Sequence, residues 1–171
     1  MAPPEKRSLR LATAAALVVL PLSAGAGELR VTVEGIRSPD GTVLIGLYDS
    51  PESFEKAVRA SAKEDFLSDP DRFGAVALRA NAAMKSAVVF SNLEPGRYAA
   101  VAFHDENGNG RLDKNFLGVP AEPYGFSNNV QGFLGPPAFD DAALAPGDGD
   151  RAIRITLILY HFRKEFGCVM V

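Results

Sequence analysis

Residues 104–113 (HDENGNGRLD) place oxygen-bearing side chains at the spacing by which a loop wraps a hard cation. Such a loop needs an oxygen on every second residue and a glycine where the backbone folds back. Asp105, Asn107 and Asn109 take positions one, three and five, Gly110 takes position six and Arg111 position seven, which serves through its backbone carbonyl. Leu112 is the apolar eighth residue and Asp113 the ninth. Position twelve, where a bidentate Glu completes the shell, is Phe116. The pattern predicts a calcium site of low charge, closed by water or by an outside carboxylate, for which Glu122, Asp140 and Asp141 are the candidates. Its affinity is expected in the range of extracellular modules, a Kd of order 10⁻⁴ to 10⁻³ M. The same residues also make ordinary hydrogen-bonded turns, and that reading stays open.

Other chemistry is thinner. Tyr124, Gly125, Phe126, Ser127, Asn128 and Asn129 join two aromatic rings, a hydroxyl and two amides in one stretch. They suit a shallow polar ligand site, such as one for sugar, or rings packed under a loop whose amides satisfy its own backbone. His104 adjoins Asp105, but neighbours on a strand point to opposite faces, and one His is too few for a zinc centre. A hydrolytic set of Ser127, His104 and Asp140 can be drawn, without any nucleophile elbow of the G-x-S-x-G type.

The elements that must hold these residues read as strands. Leu29, Val31 and Val33 alternate with polar neighbours; residues 38–41 (SPDG) then suggest a hairpin into Val43, Ile45 and Leu47. Asp49-Ser50-Pro51 starts a short helical insertion over residues 51–62, carried by Phe54, Ala57 and Val58. Short strands come next at Val76 and Leu78, at 87–90, and at 98–104 after the turn of Pro95 and Gly96, where Gly96 is expected to take a positive φ. A long irregular loop from residue 105 to about 148 precedes a last strand over 152–159. The fold class expected is all-β, an antiparallel β-sandwich.

Lys6, Arg7 and Arg10 precede an apolar run of about twelve residues (11–22) and the small residues 23–26, the three zones of a signal peptide. A membrane span needs roughly twenty residues, so cleavage after Ala26 is favoured over an anchor. The expectation is a leader over 1–26, one domain over 27–159, and a tail over 160–171, in the periplasm or outside the cell, with no membrane span after cleavage. The whole chain has a formal net charge of −3; without residues 1–26, which hold three of the 18 Lys+Arg and one of the 21 Asp+Glu, it is −5. An acidic surface does not suit nucleic acid. Cys168 is the single cysteine, so a disulfide within the chain is excluded.

The order of residues 41–50 (GTVLIGLYDS), 103–117 (FHDENGNGRLDKNFL), 125–129 (GFSNN) and 135–141 (GPPAFDD) resembles the exported bacterial family labelled domain of unknown function 2141. The resemblance runs from the first strand to about Leu159. It implies a small exported β-sandwich of unassigned activity. Residues 92–98 (NLEPGRY) resemble the turn of transthyretin-like and collagen-adhesin B-type sandwiches, so the sandwich is expected to be transthyretin-like or immunoglobulin-like. The functional expectation is a non-catalytic binding or structural module whose partner is a small ligand, a glycan or an envelope protein. The alternative is an envelope hydrolase using His104 with the loop carboxylates.

Overall fold

A computed structural model describes residues 27–63, 65–132, 135–145, 151–163 and 167–170. The signal peptide expected over 1–26 lies outside the described residues. Among the described residues there are nine strands and two short α-helices. The first strand, β1 (Gly27–Glu34), alternates as its sequence does: Leu29, Val31 and Val33 are fully buried while their neighbours are partly or wholly exposed. β2 (Thr42–Tyr48) leads into α1 (Pro51–Ala60), where the Ser50 hydroxyl accepts from the Ser53 N–H and Pro51 opens the first turn. β3 (Gly74–Arg79), β4 (Lys85–Leu93) and β5 (Ala99–Asp105) come next, then β6 (Tyr124–Phe126), α2 (Phe139–Ala142) and β7 (Arg151–Thr156).

These strands form two sheets, in the orders β4-β1-β7 and β3-β2-β5-β6. The hairpin expected at residues 38–41 is corrected: β1 and β2 lie in different sheets, and residues 35–41 cross between them. Both strands carry an apolar face, and each buries it from the opposite side of a shared core rather than by edge pairing. The expectation of purely antiparallel pairing fails at one place, since β1 pairs with β7 in parallel, Val31 opposite Ile153. Gly96 does not adopt a positive φ; Asn92, at the end of β4, does so instead at 61°.

One core cluster draws on both sheets, with Leu29, Val31 and Val33 meeting Val43, Ile45, Leu47, Ala100 and Ala102. A second lies on the other face of β2 and β5, where Leu44, Val101 and Phe103 pack against Phe54 and Ala57 of α1, Phe66, Phe126 and Phe139. Every residue of β5 is therefore buried, on both faces. Burying a side chain of the Val, Leu or Phe class stabilises by about 1.5–3 kcal/mol, which makes β5 a firmly held stem for the loop at its C-terminal end.

The region after β5 is not structureless. It contains β6, a helical turn at Ser127–Asn129 and α2, which the weak periodicity of short segments concealed. Beyond β7, the backbone of the expected tail forms a hairpin of β8 (Tyr160–Arg163) and β9 (Gly167–Met170). Two four-residue strands leave too short a pattern for periodicity to register. Among the described residues no helix is long and apolar enough to cross a membrane.

Candidate cation loop and the cleft beside it

The chain leaves β5 at Asp105, which is only 2% exposed, and turns back around its side chain. Oδ1 accepts the backbone N–H groups of Gly108 (2.8 Å) and Asn109 (3.1 Å), and Oδ2 accepts that of Gly110 (2.8 Å). Gly108 and Gly110 make this possible at φ 75° and 76°, where L side chains are strained. Asn107 Oδ1 accepts from Asn109 N, and Asn109 Oδ1 from Arg111 N. Both amide nitrogens then turn to one carboxylate: Asn107 Nδ2 donates to Asp113 Oδ2 (2.7 Å) and Asn109 Nδ2 to Asp113 Oδ1 (3.0 Å). Asn107, Asn109 and Asp113 thus lie together, with the amide NH₂ groups turned to the carboxylate and the amide oxygens turned to backbone N–H groups.

Of the three candidates for the closing ligand, Glu122 is bonded to the loop. It is 4% exposed, and its two oxygens accept Glu106 N (2.9 Å) and Asp113 N (3.0 Å), loop positions two and nine. Burial pushes its carboxyl above the usual range, and repulsion from Asp113 and Asp105 adds to this, against the opposing effect of the two amide bonds. Asp140 instead pairs with Arg97 at the surface, and Asp141 is exposed on α2. As the side chains stand, no group of three or more His, Cys, Asp or Glu could hold a metal ion among the described residues.

The loop is braced from three sides. Leu112 N donates to Ser61 O, and Phe66 N to Gly110 O, so the connection after α1 holds its far edge. Asp65 lies close enough to Gly110 that a Cβ there would meet its carboxylate at 2.9 Å. On the opposite side Arg37 forms a two-pronged bond to Glu106, which holds the Glu106 carboxyl below its ordinary range. Gly41, at φ 78°, passes so near that a Cβ would stand 2.3 Å from the Asp105 carbonyl oxygen.

His104 is fully buried. Its Nε2 lies 2.7 Å from the Asp40 carbonyl, which can only accept, so that nitrogen carries the proton; Nδ1 stands 3.5 Å from Glu106 and has no hydrogen-bond partner among the described residues. Ser127, also fully buried, donates to Ala142 O (2.6 Å) and accepts from Ala100 N (2.9 Å). With Asp140 on Arg97, the three members of the drawn hydrolytic set are bonded to separate partners. The aromatic and amide stretch is likewise bonded inward. Phe126 packs edge-on to Phe54 and Tyr124 edge-on to Phe126. Asn128 Nδ2 donates to Asp141 O and Ala143 O, while Asn129 joins β7 through Arg154 O and Thr156 N. Gly125 lets β6 approach β7, for a Cβ there would meet Thr156 O at 2.7 Å.

Immediately beyond the cation loop, a cleft of about 1160 Å³ opens on the outer face of β5 and β6. Val101, Phe103, Leu112 and Phe126 line it, with Leu117 and Val130 among the residues around them. His104, Ser127 and Asp140 do not line it.

The sequence pattern of a family described as "Uncharacterized protein conserved in bacteria (DUF2141)" matches residues 31–154. The chain belongs to the DUF2141 family. No curated protein and no solved structure matches it. The DUF2141 match begins within β1 and ends within β7, so it takes in both sheets, the loop and the cleft and leaves out the β8–β9 hairpin. Several residues that shape the DUF2141 loop have no counterpart in its local sequence pattern. Arg37, Gly41, Ser61 and Asp65 lie more than thirty residues from it in the chain, and only Gly41, in a Pro39-Asp40-Gly41 turn, carries a local signal.

Proposed function

We propose that this protein is an exported, non-catalytic binding module whose loop at residues 105–113 is ordered by calcium. The observation that carries the reading is that two amide NH₂ groups, of Asn107 and Asn109, stand against Asp113 where an ion's positive charge would serve. Rotation of the amides would present their oxygens beside a loop carboxylate, while Asp105 is buried in three backbone amides. Glu122 supplies the carboxylate missing from position twelve. A carboxylate oxygen has a second lone pair, so each Glu122 oxygen can turn toward an ion without giving up its place on the loop. Burial chiefly raises the Glu122 carboxyl and repulsion from Asp113 and Asp105 adds to it; a cation would relieve that repulsion.

In this reading the two sheets make a transthyretin-like or immunoglobulin-like sandwich. Their shared core supports this, as does Tyr98, whose hydroxyl returns to the Glu94 carbonyl at 2.9 Å in the manner of a tyrosine corner. The three zones of residues 1–26 support export to the periplasm or beyond; intact mass of envelope protein should begin at Gly27, and full-length protein in the cytosol would refute it. Nothing in the placement of His104, Ser127 and Asp140 favours the hydrolase reading.

Melting in chelator and in millimolar calcium tests the cation. Calcium at about ten times a weak Kd should contribute roughly 1.4 kcal/mol, about 3–6 °C for a domain of this size. Asp105→Ala should abolish the shift. Glu106→Ala should lower the starting midpoint, because Arg37 loses its partner, yet keep the shift, because position two is not a ligand. Magnesium should do less, since it demands a tighter octahedron. Absence of any shift in the native chain would leave the loop a turn and nothing more.

A further inference from the structure

The cleft beside the loop has a composition that narrows what it can hold. At about 1160 Å³ it is somewhat larger than most small-molecule sites; the buried Val101, Phe103, Leu112 and Phe126 lie beneath it, and the half-buried Val58, Val119, Tyr124 and Val130 present its apolar surface. Among the described residues, Arg59 and Lys114 are the charged ones in its lining and no Asp or Glu lines it, although the chain as a whole is acidic. Arg59 also meets Glu55 on its own helix, at 3.2 Å and exposed, a pair of little strength that a better-placed anion can displace. Two of the polar side chains in the lining are already engaged: the Ser61 hydroxyl donates to Val58 O, and the Asn129 amide is bonded to β7. The edge of β6 is not free for an added strand either, because Tyr124 already exchanges hydrogen bonds with Ile158.

One wall bears an apolar tip. Asn115 closes a tight turn by accepting the N–H groups of Leu117 and Val119 on its side chain, with Gly118 at φ 77°. This turn holds Phe116 at 96% exposure and Leu117 at 59%, beside Lys114. Leu117 is part of the lining, so this turn adds apolar surface to the cleft.

We propose that the cleft binds a single-chain anionic amphiphile, a long-chain fatty acid in type, with its tail along the half-buried Val58, Val119, Tyr124 and Val130 and its carboxylate against Lys114 and Arg59. Leu117 then covers the tail at the mouth. This names the ligand class of the binding module and rests on that reading, but not on calcium.

The test uses 11-(dansylamino)undecanoic acid as the fluorescent probe, with palmitate and hexadecanol as competitors, each titration run in calcium and in chelator. The native chain should give a saturable, blue-shifted rise in emission, and palmitate should displace the probe roughly two- to fivefold better than the alcohol, the size of a part-exposed ion pair. Lys114→Glu should erase that preference while leaving hexadecanol unchanged. Val130→Trp should obstruct the path of the tail and weaken binding of both; Leu117→Asp, at an exposed position, serves the same end if the change at the half-buried Val130 impairs folding. Failure of the native chain to bind saturably, equal binding by Val130→Trp and Leu117→Asp, or equal competition by acid and alcohol with no effect of Lys114→Glu would overturn the proposal. A calcium-dependent melting shift without probe binding would sink the cleft alone, and probe binding without such a shift would sink the cation alone.

Discussion

Asp105→Asn isolates what the loop owes to a buried anion before any metal is added. In the native chain one carboxylate accepts three backbone N–H groups, two on Oδ1 and one on Oδ2. Asparagine can keep its oxygen toward Gly108 and Asn109, but its NH₂ must then face the N–H of Gly110, donor against donor. A hydrogen bond to a charged group contributes about 1.5–3 kcal/mol, a neutral one about 1. One bond is lost and two are weakened, a cost of at least about 2.5 kcal/mol. Against this, removing the charge relieves some repulsion with the buried Glu122, the smaller effect, leaving a net loss of about 2 kcal/mol or more. For a domain of this size the midpoint should fall by roughly 4–12 °C. The measurement is a thermal melt in chelator at pH 7, with a urea titration to check that the slope is unchanged. Asp113→Asn is the comparison: its partners are the side-chain amides of exposed Asn107 and Asn109, so its cost should stay below about 1 kcal/mol. An Asp105→Asn midpoint equal to the native one, or equal to that of Asp113→Asn, would refute the claim that a buried carboxylate organises this loop.

Gly41→Ala should cost more than about 1–3 kcal/mol, since strain at φ 78° is compounded by a Cβ placed 2.3 Å from the Asp105 carbonyl oxygen; Gly96→Ala, with no positive φ and its nearest atom at 3.6 Å, should be neutral or slightly stabilising, and equal urea midpoints for the pair would contradict the backbone described. Tyr48 is fully buried with its hydroxyl lacking a hydrogen-bond partner among the described residues, and burial, then the nearby Asp69, pushes that phenol well above its ordinary value of 10.0. The unfolded phenol ionises near that value while the folded one resists, so stability is intact below about pH 10 and falls above it. Tyr48→Phe should flatten the fall and cost little at pH 7; an unchanged alkaline limb in urea melts would place the loss elsewhere.

The sequence by itself determined those features that depend on neighbours in the chain. Alternation marked β1, β2 and β7 because a half-buried strand must bury every second residue; Ser50 and Pro51 marked α1 because a helix start leaves N–H groups that only certain residues satisfy or lack. The loop at residues 105–113 was legible as a turn for the same reason, since Asn107 and Asn109 each bond the backbone N–H two residues on. Tertiary structure decided the rest. Which edges pair is a matter of where apolar faces meet, so local turn chemistry suggested a hairpin at residues 38–41, which in fact cross between sheets, and gave no sign of the parallel pairing of β1 with β7. Glu122, Asp140 and Asp141 were equivalent as sequence; only folding brought the first to the loop and left Asp140 on Arg97 and Asp141 exposed. The cleft had no signature at all, because its floor comes from β5, β6 and residue 112 and its cations from α1 and residue 114, and shape arises only when distant segments are held side by side.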